Sequence, residues 1–343
     1  MKLVCEDLSL LTARMKLFRL RPACNTDSVN EHVSPGEYFS FNFKDENDTS
    51  FQRCYTLVSA EPGKSYEFII ENKGEGSASA IISKLLAEKK EIEINGRGGE
   101  ITFKAIRDKS NVLLVAGGIG ITLPLALIRE CFKYYGYSAP DKSVLLMLSC
   151  PDLGSVPCLN ELLDLHMRCD WFSLRINVTR ANLEKDSKII RQGRADLATA
   201  DINGTPEAAI VCGSVGFAEA VVSAVRVRFP QATVAVEAFS SGQVAAMNSA
   251  AATKIHESRI TIRKLNREIT ADNGRTILDN LLHHNVSVRN MCRSGICGSC
   301  KFRLDSGSVR SEPDFCLSAK DKAENIHLAC CSFPDKDAVI DII

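Results

Sequence analysis

The chain has 343 residues, 42 basic and 42 acidic side chains, and no net charge. That length permits two or three domains with cores of their own, and the balance of charge gives no reason to expect nucleic acid or membrane lipid as a partner. No stretch approaches the length needed to cross a bilayer, and the charged N-terminal stretch lacks the apolar core of a secretory signal. The expectation is a cytoplasmic location, with most of the 14 scattered cysteines held as reduced thiols.

Residues 1–105 read as β-rich. Alternating or apolar runs at 15–20, 37–43 and 65–70 are separated by turn-forming clusters such as Asp45-Glu46-Asn47-Asp48 and Glu61-Pro62-Gly63-Lys64. Short strands in this rhythm predict an antiparallel β-barrel. One helix is expected over Ser77 to Glu88, entered through Gly74-Glu75-Gly76-Ser77. A glycine-rich entry to a helix can receive an anion, because unpaired N–H groups and the helix dipole both favour negative charge; it can equally be an ordinary cap.

Residues 106–240 change character. Asn111 to Ala116 is a continuous apolar run after its first residue, as in a strand buried on both faces of a parallel sheet. Gly117-Gly118-Ile119-Gly120-Ile121-Thr122 follows, then a helical stretch from about Pro124 to Phe132. Strand, glycine turn and helix in succession is the context in which such glycines serve a dinucleotide pyrophosphate. Further strands are expected at 143–148, 174–179, 208–212 and 233–236, with helices at 159–165 and 217–227 between them, an α/β Rossmann-like alternation.

Residues 241–257 are small and polar and read as a linker, and 258–343 as a third module with a hairpin around Asn266, a helix over Ile277 to His284 and a closing strand at Ala338 to Ile342. Within it, Cys292, Cys297 and Cys300 stand at C-x4-C-x2-C, with Cys330-Cys331 downstream. That is the spacing of plant-type [2Fe–2S] ferredoxins. Zinc ribbons prefer paired C-x2-C hooks, and a Rieske centre needs two histidine ligands, which neither cysteine group contains. Gly295 and Gly298 let the loop curl and aim N–H groups at the sulfurs.

Arg53-Cys54-Tyr55-Thr56-Leu57-Val58-Ser59, after Pro35-Gly36-Glu37, resembles the flavin-binding barrel of the ferredoxin–NADP reductase superfamily. The resemblance implies that Arg53 pairs with a flavin phosphate, Tyr55 lies against the isoalloxazine ring, and Thr56 or Ser59 bonds near its reactive nitrogen. Gly76 and Ser77 would hold phosphate. In the nucleotide lobe, Ala116 to Thr122 matches the family's A-G-G-x-G-I-T, although Leu123 displaces the following proline to Pro124. Cys212-Gly213-Ser214 resembles its C-G-P with serine in place of proline, and Glu237-Ala238-Phe239 its E-x-F. By the same resemblance Gly117, Gly118, Gly120 and Gly213 seat the nucleotide, Thr122 and Cys212 flank the nicotinamide, and Glu237 and Phe239 lie near the flavin. Catalytic roles fall to Thr56, Ser59 and Cys212.

The third module is similar to plant-type ferredoxins, a β-grasp α+β fold, in which the last ligand stands four residues before a proline and seven before an aspartate. Cys330 satisfies both through Pro334 and Asp337 and joins Cys292, Cys297 and Cys300 as metal ligand; Cys331 is the competing choice. Three modules in this order resemble the phthalate dioxygenase reductase-like components of Rieske-type oxygenases. The resemblance implies transfer from NADH through flavin to [2Fe–2S] and then to a terminal oxygenase. Ser149-Cys150-Pro151-Asp152 favours NADH over NADPH, since no basic residue there meets a 2′-phosphate, though Arg180 and Arg194 could supply one. Some members of that group hold FMN and others FAD, and Asn95 to Ile101 together with Gly74-Glu75-Gly76-Ser77 resembles the FAD-holding ones. A hybrid-cluster or diiron acceptor, or a redox sensor without turnover, are the alternatives.

Overall fold

The computed structural model describes all residues except 25–32, 62, 198–199, 201, 203, 240–256, 291–294, 296–297 and 312–316. The alternation of the first hundred residues resolves into six antiparallel strands: β1 (Lys2–Leu10), β2 (Met15–Pro22), β3 (Tyr38–Lys44), β4 (Ser50–Glu61), β5 (Ser65–Glu71) and β6 (Ile92–Gly98). They close into a barrel in the order β1-β2-β5-β4-β3-β6, which leaves no open edge. Its interior is aromatic. Phe18, Phe39, Phe41, Tyr66 and Phe68 are fully buried, with Phe41 and Phe68 edge to face at 5.0 Å. Helix α1 (Ala78–Ala87) adds Ile82 and Leu86 to the same cluster.

Strand β4 is bulged. Leu57 pairs with Phe68 and Ser59 with Glu67, so Val58 has no cross-strand partner, and Thr56, Leu57 and Val58 are buried in succession. Such a bulge re-aims side chains, and here it interrupts the simple in–out alternation beside Thr56. The turn at Gly36 (φ +98°) is locked to the same place, its N–H donating to Leu57 O, and an added Cβ would stand 2.4 Å from Ile101 O.

Short helix α2 (Phe103–Ile106) leads into a six-stranded parallel sheet built from β7 (Asn111–Gly117), β8 (Ser143–Cys150), β9 (Phe172–Val178), β10 (Ile190–Gln192), β11 (Ala208–Ser214) and β12 (Thr233–Phe239). Its order is β10-β9-β8-β7-β11-β12. Helices α3 (Thr122–Tyr135), α4 (Leu159–Arg168) and α5 (Val215–Arg228) connect β7 to β8, β8 to β9 and β11 to β12. The chain builds outward from β7 on one side and resumes at β11 on the other. The carboxyl ends of β7 and β11 therefore form the crevice where open α/β sheets bind ligands. Trp171, the one tryptophan, is buried beneath this sheet and donates to Gly136 O at 2.9 Å.

Contacts group the chain into two units, 1–237 and 238–343. The second is a five-stranded mixed sheet in the order β14-β13-β19-β15-β17, from β13 (Glu257–Ile262), β14 (Arg267–Asp272), β15 (Lys301–Ser306), β17 (Ile326–Leu328) and β19 (Ala338–Ile342). A two-stranded ribbon joins β16 (Val309–Ser311) to β18 (Ser332–Pro334). The helix Ile277–His283, capped by Thr276, places Ile277, Leu278 and Leu281 in this unit's core. The parallel pairing of β13 with β19, with the helix Ile277–His283 packed into the core, is the β-grasp arrangement. In the hairpin around Asn266, Glu257–Ile262 pairs with Arg267–Asp272, so the first strand stops short of the turn; residues 263–265 form a single 3₁₀ turn, and Asn266 takes the left-handed conformation (φ +45°). The linker expected at 241–257 lies outside the described residues except for Glu257, which opens β13. Among the described residues no helix is long and apolar enough to cross a membrane.

Candidate functional site

Thr56 on β4 of the barrel donates a 2.6 Å hydrogen bond to Glu237 Oε1 on β12, across 181 residues of sequence. Both side chains are buried, at 4% and 6% exposure. The bond stands where the barrel strand carrying Arg53-Cys54-Tyr55-Thr56 meets the last strand of the parallel sheet. Burial lifts the Glu237 carboxyl from its usual 4.5 to about 7, with the Thr56 hydroxyl pulling the other way. Cys212, fully buried at the end of β11, is pushed well above the ordinary thiol range, first by burial and then by the Glu237 charge, while the Leu123 N–H opposes both. Three residues named from separate stretches are thus brought into one cluster, with a neutral thiol and a carboxyl able to change protonation near neutral pH.

The glycine turn lies at the crevice described above. Gly117 ends β7, Gly118 has φ +55°, and residues 118–121 form a 3₁₀ turn that runs directly into α3, which starts at Thr122. Thr122 Oγ1 donates to Ile119 O at 3.2 Å, so its hydroxyl closes the turn. At Gly120 the reason for glycine is packing: an added Cβ would meet Cys212 O at 2.3 Å and the Gly213 nitrogen at 2.8 Å. The sequence motif is therefore partly a demand of strand-to-turn contact, and not solely of a ligand. Phe217, which sequence reasoning passed over, is the other half of that contact. Its half-buried ring lies where a Cβ on Gly213 (2.6 Å) or Gly117 (3.1 Å) would sit, so one aromatic of α5 fills both glycine notches. An aromatic four residues after Gly213 was the available signal.

The remaining barrel residues are not gathered into the cluster. Arg53 is exposed, its Nη1 donating to Gln52 O and its guanidinium 5.9 Å from the Phe51 ring centre. Tyr55 is half-buried, edge-on to Phe41 at 5.1 Å. Ser59 lies beyond the bulge, half-buried and opposite Glu67. Gly76 (φ +73°) shapes the turn into α1, and the Ser77 hydroxyl both accepts from Ala80 N and donates to Gly74 O at 2.6 Å. That hydroxyl is already engaged in capping, so any anion held there would rely on the backbone N–H groups of the turn. Phe239 closes β12, half-buried, two residues beyond Glu237. Asp152, exposed after β8, accepts from Ser155 Oγ at 2.9 Å, and the Arg180 N–H donates to Pro151 O.

In the C-terminal unit Cys292 and Cys297 lie outside the described residues. Cys300 and Cys330 are described, both buried, with the Cys330 sulfur against that of Cys300 and receiving the Gly295 N–H. Gly295 and Gly298 have φ of +76° and +66°, as a curled loop requires. Two thiols side by side with a backbone donor aimed at one of them suit a thiolate-ligated cluster whose sulfurs are stabilised by N–H groups. The Cys331 sulfur is 3.5 Å from that of Cys330, but Cys331 also lines a cavity of about 150 Å³ with Ser311, His327 and Ser332. Gly307 (φ +92°) seals the sheet nearby, where a Cβ would stand 2.1 Å from Asp337 O.

Residues 260–335 match the model of the 2Fe-2S iron-sulfur cluster binding domain. A CDP-6-deoxy-L-threo-D-glycero-4-hexulose-3-dehydrase reductase of Yersinia pestis is 37% identical over 89 residues, covering 26% of this chain and 25% of that protein. The similarity thus spans about a quarter of that relative's length. The glycine betaine monooxygenase reductase subunit of Pseudomonas aeruginosa is 24% identical over 325 residues, 90% of this chain and 86% of that one. Among solved structures, phthalate dioxygenase reductase superposes with a TM-score of 0.65 at 19% identity, covering 100% of this chain and 98% of that one. The fold is that of phthalate dioxygenase reductase: antiparallel barrel, Rossmann-like parallel sheet and ferredoxin unit in the same order.

Proposed function

We propose that this chain is the reductase component of an oxygenase system, drawing electrons from NADH and delivering them one at a time through a [2Fe–2S] centre. The observation that carries the reading is the Thr56–Glu237 bond, because it joins the two halves of the site, barrel strand and nucleotide crevice, at one buried point. A flavin between them would take up hydride from the nicotinamide and release single electrons to the cluster, the exchange of two-electron for one-electron traffic that neither partner performs alone. Phthalate dioxygenase reductase, whose fold this is, is described as a modular structure for electron transfer from pyridine nucleotides to [2Fe-2S].

The chain's own residues divide the work. Gly117, Gly118 and Gly120 let the backbone approach a pyrophosphate, with the start of α3 favouring its charge. Gly213 and Phe217 shape the facing wall. Cys212 stays protonated at the crevice floor, presenting a small apolar surface without charge. Thr56 keeps Glu237 oriented, and Glu237 can hold or release a proton at its carboxyl near neutral pH. Arg53, Tyr55, Ser59, Gly76, Ser77 and Phe239 are assigned to the flavin, FAD in preference to FMN, and Asp152 to a ribose hydroxyl, NADH in preference to NADPH. Cys292, Cys297, Cys300 and Cys330 are assigned to the cluster. Modules of 1–105, 106–240 and 258–343 joined by 241–257 complete the assignment. The acceptor is a Rieske-type terminal oxygenase, reached in the cytoplasm.

Absorption spectra taken anaerobically before and after NADH test this directly. Bleaching of both flavin and iron–sulfur bands is expected, with the released flavin identified by chromatography. Protein lacking iron and labile sulfide after anaerobic preparation would overturn the reading.

A further inference from the structure

A line of alternating charge crosses from the barrel to the parallel-sheet module. Arg19 on β2 donates through Nε and Nη2 to Glu67 Oε1 on β5, at 3.0 and 2.7 Å. Arg129 Nη1, on α3, stands 3.6 Å from the other oxygen of Glu67. The remaining edge of the Arg129 guanidinium forks onto Glu161 of α4, Nε to Oε1 at 2.7 Å and Nη2 to Oε2 at 2.8 Å. The two inner groups are withdrawn from solvent, with side-chain exposures of 19% for Arg129 and 15% for Glu67, so the contact between modules is screened less than a surface pair. A planar guanidinium can serve two carboxylates at once in fixed directions, which a lysine ammonium cannot.

The position of this line gives it a consequence. Arg129 lies two turns along the helix that begins at the end of the glycine turn, and Glu67 pairs with Ser59 on the strand that carries Thr56. We propose that Arg129 is a positioning residue that fixes the glycine-turn helix against the flavin-side strand. It thereby sets the approach of nucleotide to flavin in the activity proposed above, on which this inference rests. Hydride transfer needs reacting atoms about 3–3.5 Å apart, and a misplacement of about 1 Å can cost on the order of 100-fold in rate.

Glu67→Gln removes the charge from the tie to the barrel and leaves the Arg129–Glu161 ion pair intact; Glu161→Gln does the reverse. The expected result in anaerobic stopped flow is that E67Q slows flavin reduction by NADH roughly tenfold or more per bound flavin, with little change in the NADH concentration giving half-maximal rate. E161Q should change the rate by less than E67Q. Hydrogen exchange on flavin-depleted protein supplies the second readout: amides at the start of α3 and around Thr56 should exchange faster in E67Q. Rates per flavin and exchange both unchanged in E67Q would overturn the positioning role. A wild-type chain whose flavin NADH does not reduce would instead overturn the proposed activity, and the exchange comparison would still report on the tie.

Discussion

Replacing Glu237 by Gln removes a buried carboxyl that links barrel and sheet while keeping an oxygen to accept from Thr56. The carboxyl is held at about 7 in the folded chain against 4.5 outside it, a gap of about 2.5 units or about 3 kcal/mol. The folded form keeps its proton when the unfolded form has lost it, so the native state binds more protons and stability falls as pH rises. Relative to E237Q, the wild type should therefore lose up to about 3 kcal/mol between pH 4.5 and 7 and then level off. Trp171 makes the measurement local: it is the sole tryptophan, it is 1% exposed, and it belongs to the parallel-sheet module. Urea titrations followed by its fluorescence at several values between pH 5 and 8 give the difference directly. A difference between the two proteins that is flat over this range would refute the reasoning, because Glu237 would then titrate alike in both states.

Gly120→Ala would drive a methyl to 2.3 Å from a backbone oxygen at Cys212, and overpacking of this kind costs about 1–3 kcal/mol or more. The thermal midpoint should fall, and NADH-dependent flavin reduction should fall further than flavin content does. Cys330→Ser should lower bound iron and labile sulfide sharply, whereas Cys331→Ser should leave both near wild type; the opposite pattern by metal analysis would make Cys331 the ligand. Thr56→Val removes the hydroxyl that opposes burial at Glu237, so the pH at which the wild type and E237Q curves diverge should extend upward when measured in the T56V background.

What the sequence alone makes legible depends on whether the cause is local. Asn111 to Ala116 declares a strand buried on both faces, and the glycines after it declare a tight turn, because both follow from neighbouring residues alone. Strand β6 was not legible: Ile92-Glu93-Ile94-Asn95-Gly96-Arg97-Gly98 is half turn-formers, and it is held extended by pairing with β3, where Tyr38 fills the space a side chain on Gly98 would need. The three-residue strands β10, β16, β17 and β18 are too short to show a period. At the site, Thr56, Cys212 and Glu237 could each be named from short patterns. Their meeting could not, since no local rule connects residues 181 apart. Arg129 carried no signal, as one arginine in an amphipathic helix resembles any other. The role of Gly120 was read as an accommodation for a ligand, and the structure adds a nearer reason in the Cys212 carbonyl.

Lys142 bears on how such a protein can be cut and rejoined. Its buried ammonium donates to three carbonyls, Ile106 at 2.5 Å, Arg107 at 3.3 Å and Lys109 at 2.5 Å, on the segment that leaves the barrel for the first parallel strand. A chimera spliced there, with barrel from one parent and sheet from another, would strand a cation in a hollow shaped for those three oxygens. Module exchange at this joint should therefore carry the 106–110 segment and the residue at 142 as one inheritance.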